Sequence, residues 1–265
     1  MTTAMKPFAT IAIVAGFLSV VMTGILRADI LLSEKFDYPD GVLTTASNNL
    51  WIDNSGTTVN TYLNVASGAA ILTSANAQDD ARSFAPMSAG VIYYGFDARV
   101  TSVPGTSGSY IMALWDGESG MATDYIARLQ VAQGFSSSKV KFGILNNKGN
   151  PVVFYGSEFD LQTTVRIVVA FNFATMTSTL WINPTDASNT SVTDTTAASF
   201  TDPTNTLGYI LMRQTTAIGT TVVDNLIVAT TFADVAAVPE PGTVAMVTLG
   251  LSVVGWRMRR HRVRA

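Results

Sequence analysis

Residues 29–237 predict an all-β domain, an antiparallel sandwich or barrel of roughly a dozen short strands. Three observations carry this expectation. Runs of β-branched, aromatic and aliphatic residues recur at short intervals and stop at clusters of Gly, Pro, Asn and Asp. The chain of 265 residues holds 34 threonines, a residue that suits a pleated surface better than a helix. Apolar repeats at helical spacing are hard to find, and no internal repeat points to a propeller or solenoid.

The formal net charge of −3 is an average over unlike segments: +2 in residues 1–28, −9 in 29–237 and +4 in 238–265. The first segment sets Lys6 before an apolar run from Phe8 to Leu26 and closes on Arg27-Ala28. A basic start, an apolar stretch and a small residue predict a secretory signal peptide cut after Ala28, although Leu26 is bulkier than the residue preferred two positions before the cut. The run of 19 residues is also long enough for a membrane anchor, the competing reading.

Within the domain, strands are expected at 91–100, 109–115, 124–132, 139–145, 164–173, 178–182, 207–213 and 221–229. Pro104-Gly105, Asp116-Gly117, Asn146 to Asn150 and Asn183-Pro184 supply turn signals between them. Alternation in Ser138-Lys139-Val140-Lys141-Phe142-Gly143-Ile144 places both lysines on a solvent face. Val165 to Phe173 instead has adjacent apolar residues, as in a strand covered on both sides.

The last segment has three parts. Val238-Pro239-Glu240-Pro241 comes first, then an uncharged stretch from Thr243 to Trp256, then Arg257, Arg259, Arg260, Arg262 and Arg264 with His261 among them. As a helix the uncharged stretch would be roughly 21 Å long, short of the roughly 30 Å hydrocarbon core unless the bilayer thins or Arg257 snorkels. The arginine cluster acts as a basic stop that stays cytoplasmic by the positive-inside rule. This tripartite tail resembles the PEP-CTERM sorting signal of Gram-negative bacteria, with Pro239, Glu240 and Pro241 as the sorting motif. The resemblance implies transient anchoring by a C-terminal transmembrane helix, processing near the motif by a membrane protease of the exosortase type, and surface display or release, often alongside exopolysaccharide. The two prolines hold the motif extended and outside the helix. A tail that stays as a permanent anchor is the alternative.

A second resemblance lies in the domain. Phe36-Asp37-Tyr38-Pro39-Asp40-Gly41-Val42-Leu43, then Trp51 and Ser55-Gly56, open it; Leu180-Trp181-Ile182-Asn183-Pro184 comes late; Val223-Asp224-Asn225-Leu226-Ile227-Val228 closes it. These landmarks resemble laminin-G-like, concanavalin A-like jelly rolls. The resemblance implies an all-β antiparallel sandwich, a fold that serves lectins, glycosidases and structural modules alike.

Composition removes several chemistries. The chain has no cysteine, and its one histidine, His261, lies in the tail. Disulfides, thiol catalysis, a Ser-His-Asp triad and histidine zinc sites are therefore excluded from the domain. Glycosidases of the resembling fold place acids at E-x-D-x-x-E on one strand; Glu158-Phe159-Asp160 comes nearest, with Thr163 in the third place. The expectation is a non-enzymatic, exported surface or matrix protein with no catalytic residues and no cofactor beyond a candidate structural calcium. Asp37, Asp40 and Asp224 are the candidate oxygen ligands for it. A polysaccharide-binding module is the first alternative, with Trp51 and Trp115 as candidate sugar platforms beside turn residues, and a glycosidase the second. Trp181, between Leu180 and Ile182, is expected in the core. The charge of −9 over residues 29–237 disfavours nucleic acid as a partner.

Overall fold

The computed structural model describes residues 29–55, 61–117, 125–200 and 206–236. The expected signal helix, the sorting motif, the basic stop and the transmembrane helix of the tail fall outside the described residues. Among the described residues, no helix is long and apolar enough to cross a membrane.

The opening third of the domain contributes β1 (Ile30–Glu34), β2 (Gly41–Val42), the single helical turn α1 (Leu43–Ala46), β3 (Ile52–Ser55), β4 (Asn64–Ala66), β5 (Ala69–Thr73) and β6 (Asp79–Met87). The middle holds β7 (Val91–Ser102), β8 (Ser109–Trp115), β9 (Tyr125–Gln133), β10 (Lys139–Leu145), β11 (Val153–Phe154) and β12 (Phe159–Asp160). Then come β13 (Thr164–Asn172), β14 (Thr177–Ile182), β15 (Ser191–Asp194), β16 (Leu207–Met212), β17 (Thr220–Ala229) and the short helix α2 (Phe232–Ala236). The chain is an antiparallel β-sandwich. One sheet has nine strands, in the order β15-β14-β13-β7-β17-β5-β4-β2, with β1 also paired to β17. The other has eight, in the order β11-β10-β9-β8-β16-β6-β3, with β12 also on β10.

The longer expected strands match β7 to β10, β13, β14, β16 and β17 to within about two residues, the usual scatter at element ends. No strands were expected in residues 30–87, where the structure has β1 to β6. Those are short or carry charge and proline, as in Asp79-Asp80-Ala81-Arg82-Ser83-Phe84-Ala85-Pro86-Met87, and distant partners define them: β1 pairs with β17 and β6 with β16.

Side chains alternate between the sheets and the outside. Tyr94, Phe96, Ile167, Val169, Phe171, Leu180, Val223 and Val228 of the larger sheet meet Leu114, Leu129, Val131, Phe142, Ile144, Ile210 and Met212 of the smaller one in a single buried core. Tyr94 also donates its hydroxyl to the Ala127 carbonyl at 2.6 Å, so this ring bonds across the core. The doubly covered strand expected at 164–173 is β13. Its other face, with Val168 and Ala170, lies with Trp181, Ile227 and Ala229 under Val235 of α2. Trp181 is in that layer, edge-on to Phe232 at 5.2 Å.

Two buried ions tie the sandwich together. Glu34, at the end of β1, accepts from the Phe36 N–H (2.7 Å), the Tyr38 hydroxyl (2.7 Å), Trp51 Nε1 (3.0 Å) and Arg82 Nη1. Arg166 on β13 donates Nε (2.9 Å) and Nη2 (2.6 Å) to the Val235 carbonyl, and Nη1 to Asp97 Oδ1 (3.3 Å) and the Asn225 carbonyl (2.9 Å). That arrangement docks α2 on the larger sheet. Gly95 makes room for it, because a Cβ there would sit 2.6 Å from the Val235 oxygen.

Gly95→Ala is therefore expected to displace α2 and destabilise the domain by about 1–3 kcal/mol, the usual range for overpacking. Urea denaturation followed by tryptophan fluorescence checks this; an unchanged midpoint would show that α2 contributes nothing to stability.

Candidate functional site

The outer face of the smaller sheet carries an aromatic cluster separate from the core. Tyr110 and Trp115 of β8, Tyr125 of β9, and Tyr209 and Leu211 of β16 face this side, with Ala81 of β6 beside them. Tyr110 and Trp115 differ in parity, and the register shifts of β8 against β9 bring both outward. Register makes the cluster continuous, since Trp115 lies opposite both Tyr125 and Tyr209. Ring centroids are 5.1 Å apart for Trp115–Tyr209 and 6.1 Å for Trp115–Tyr125 and Tyr110–Tyr125. Gly117, at φ +97°, leads the chain away from β8; a Cβ there would come within 2.5 Å of the Tyr209 ring.

Two arginines bracket the rings. The guanidinium carbon of Arg213 lies 4.4 Å from the Tyr110 centroid, and that of Arg128 lies 5.2 Å from Tyr110 and 5.9 Å from Tyr125. Arg128 is buried, whereas Arg213 is half-buried. Arg213 donates Nη1 to Ser109 Oγ (2.8 Å) and sets Nε 3.6 Å from Asp79 Oδ2. Asn54 Nδ2 holds the Tyr125 hydroxyl at 2.7 Å. Burial pushes the Tyr110 phenol up to about 12, so it stays protonated and able to donate throughout the working pH range. Aromatic faces beside fixed polar groups are the usual means of holding a sugar ring, stacking its apolar face and bonding its hydroxyls.

In β6 lie two adjacent buried acids, Asp79 beside Arg213 of the outer face and Asp80, paired with the core residue Met212, on the inner side of the sheet. Asp79 accepts from the Gln214 N–H (3.0 Å) and Ser55 Oγ (2.9 Å). Burial nevertheless lifts its carboxyl to about 6. Asp80 is 0% exposed and neither of its oxygens has a hydrogen-bond partner. Burial first, then the neighbouring charges of Asp53 and Asp79, lifts it to about 8.

The expected site residues are placed unevenly. Trp51, expected at a loop edge, is 0% exposed: it stacks on Phe36 at 5.8 Å and bonds Glu34, so it has no surface to offer a sugar. The turn before it is real, with Asn48 and Asn49 at positive φ, but that turn aims the indole inward. Trp115 is 5% exposed and forms the floor of the aromatic cluster rather than its rim. Tyr110, Tyr125, Tyr209, Arg128 and Arg213 were not among the expected site residues. No alternation pattern marks them in the sequence, since register shifts in β8 and the left-handed Ala127 in β9 break the parity that would group them.

Asp37 and Asp40 are exposed, and Asp40 Oδ1 caps the Ser67 N–H at 2.8 Å. Asp224 Oδ1 accepts from the Asn225 N–H at 2.6 Å, while Asn225 Nδ2 bonds Asp97 Oδ2 at 2.8 Å. Among the described residues, no three His, Asp or Glu side chains gather to hold a metal ion. Glu158 and Asp160 hold the β9–β10 hairpin: Glu158 Oε1 accepts from the Phe135 N–H at 2.8 Å, and Asp160 pairs with Lys139 at 2.8 Å.

Folded Asp79 and Asp80 keep protons that an unfolded chain, with Asp near 3.8, has already released. Their favourable contribution is complete below about pH 4 and is lost as the pH rises through 6 and 8. Asp80→Asn is thus expected to stabilise the domain by about 2 kcal/mol at pH 8.5, with a smaller gain at pH 5. Urea midpoints at both pH values check this, and an equal gain at both would refute the titration of Asp80.

Comparison with known proteins adds the following. Residues 237–260 match the PEP-CTERM protein-sorting motif. No curated protein matches the chain. Among solved structures, the chain is similar to a sialidase at 12% identity and TM-score 0.44, covering 76% of this chain and 19% of the sialidase. It is similar to the CBM2 module of the evolved Dit of Lactobacillus casei BL23 phage J-1 at 12% identity and TM-score 0.47, covering 76% of this chain and 95% of that module. It is also similar to peanut lectin at 10% identity and TM-score 0.43, covering 68% of this chain and 96% of the lectin. The chain thus carries a PEP-CTERM sorting tail, the mark of an exported protein processed by an exosortase.

Proposed function

We propose that the exported protein is displayed at the cell surface or in the extracellular matrix, and that its sandwich binds polysaccharide there through the outer face of the smaller sheet. The cluster of Tyr110, Trp115, Tyr125 and Tyr209 carries this reading. The larger sheet covers its own outer aromatics, Tyr93 and Trp181, with Phe232 of α2. Neither helix packs over the smaller sheet's cluster, since α2 lies on β7, β13 and β17 and α1 on β2 and β4. Half-buried tyrosines around a buried Trp115, with Arg213 beside them, suit a chain of sugars lying across the strands. Binding rather than hydrolysis is the role, and the engagement of Glu158 and Asp160 in the β9–β10 hairpin supports it.

The tail serves delivery. Glu240 is the only charge between Asp234 and Arg257 and stands between two prolines, which makes it the distinctive group for a protease to read.

Two outcomes are expected. Tyr110→Ala with Tyr125→Ala is expected to weaken retention of the processed protein on immobilised polysaccharides by about tenfold or more, without releasing reducing sugars from them in either form. Retention unchanged by the double substitution would remove the aromatic face from the binding site. In cells, Glu240→Ala is expected to slow processing, seen as accumulation of the longer, membrane-bound form; normal maturation would show that the charge is not read.

A further inference from the structure

The same face continues into a cavity of about 280 Å³ lined by Tyr110, Arg128, Leu145, Lys148, Gly149 and Arg213. Its position follows from the strand order. Tyr110 on β8 and Arg128 on β9 are neighbours, Arg213 follows β16 on the other side of β8, and the turn after β10 brings Lys148 over the edge. The charge there is opposite to that of the domain. Residues 29–237 hold nine basic and eighteen acidic side chains, yet three of the nine bases line this one cavity. No carboxylate lines it among the described residues. A second cavity, of about 240 Å³ on the larger sheet, is mixed in charge, with Asp97, Asp224 and Arg99 in its wall.

Each lining group has a defined state. Tyr110 is a protonated phenol lying between the guanidinium groups of Arg213 and Arg128. Arg213 uses Nε and Nη1 on Asp79 and Ser109, and its Nη2 makes no hydrogen bond within the described residues. Lys148 is exposed, on a turn, where its ammonium can follow a ligand. An Arg fork fixed by neighbours is preorganised for an oxyanion, and the low-dielectric wall made by Leu145 and the tyrosines strengthens its field.

We propose that this cavity is an oxyanion subsite within the polysaccharide-binding face, so that the protein selects acidic polysaccharide bearing uronate carboxylates or sulfate esters over neutral glycan. Arg213 and Lys148 meet the oxyanion, Arg128 adds to the field from beneath, and Tyr110 stacks the sugar ring and donates its hydroxyl. The inference rests on the polysaccharide reading above and adds the ligand's charge to it. The cavity is small beside ligand clefts of roughly 300–1,000 Å³, which matches one charged sugar of a longer chain whose neighbours lie along Tyr125, Trp115 and Tyr209.

The test compares ligands that differ only in charge. Processed protein is titrated, at low and high salt, with polygalacturonate and its fully methyl-esterified form, and with dextran sulfate and dextran. The expected result is binding to at least one charged polymer about tenfold or more tighter than to its neutral partner, with the difference shrinking as salt rises. Which pair shows it separates carboxylate from sulfate ester. Lys148→Gln, at an exposed side chain, is expected to reduce that preference without changing the melting temperature, and Arg213→Gln to reduce it further. Equal affinity within both pairs overturns acid selection and leaves the polysaccharide reading standing. A preference that survives both substitutions overturns the assignment to this cavity. Failure to bind any of the four polymers overturns the inference together with the polysaccharide reading.

Discussion

Burial of apolar side chains between two sheets holds this domain, with no covalent crosslink to help. The chain has no cysteine, and an exported domain of this size must draw its stability from the layer that Tyr94, Phe96, Phe142, Phe171 and their neighbours fill. Everything else acts at the borders of that layer. Glu34 closes one border by joining Phe36, Tyr38, Trp51 and Arg82, and it holds the backbone at Phe36 in a left-handed conformation, φ 52°, that a phenylalanine seldom adopts alone. Arg166 closes the other by gripping the carbonyl of Val235. Both are buried charges whose bonds are made, so their desolvation is met by several partners at once. Asp80 is the exception. Its carboxyl has no partner, and the domain accommodates it by keeping it protonated.

The two outer faces are treated differently by the same chain. On the larger sheet, adjacent apolar residues in β13 and the aromatic pair Tyr93 and Trp181 are covered by α2. On the smaller sheet, the three tyrosine rings stay half-buried over the buried Trp115, and guanidinium groups lie beside them. One face is covered by the protein's own helix, and neither helix of the described residues packs on the aromatic cluster of the other.

The fold was largely legible in the sequence because the long central strands announce themselves. Ser109–Trp115 and Lys139–Leu145 are runs of strand formers beside turn residues and stand in the structure as β8 and β10, and the alternation of the second survives, with Val140, Phe142 and Ile144 in the core. The opening strands were not legible, since β2 and β4 are two and three residues long and exist through pairing with each other and with β5. The candidate site was legible only in fragments. Trp51 and Trp115 stood out as large aromatics beside turns, but the direction of a side chain at the end of a strand depends on register, which no local pattern fixes. The tyrosines and arginines that do form the face come from β8, β9 and β16, with long stretches of chain between β9 and β16, and only strand order brings them together.

The position of β17 bears on the order in which the protein comes into being. It is almost the last element of the domain, yet it lies inside the larger sheet, pairing with β7 along its length and with β5 and β1 on its other side. β1, the first strand, has no partner until β17 exists. A chain threaded through a membrane from its N-terminus therefore leaves the larger sheet in three parts, β15-β14-β13-β7, β5-β4-β2 and β1, until residues 220–229 have emerged. Closure by so distant a strand is slow by its topology. It also makes completion of transport and completion of folding nearly the same event, with the sorting motif at 237–260 following within a few residues.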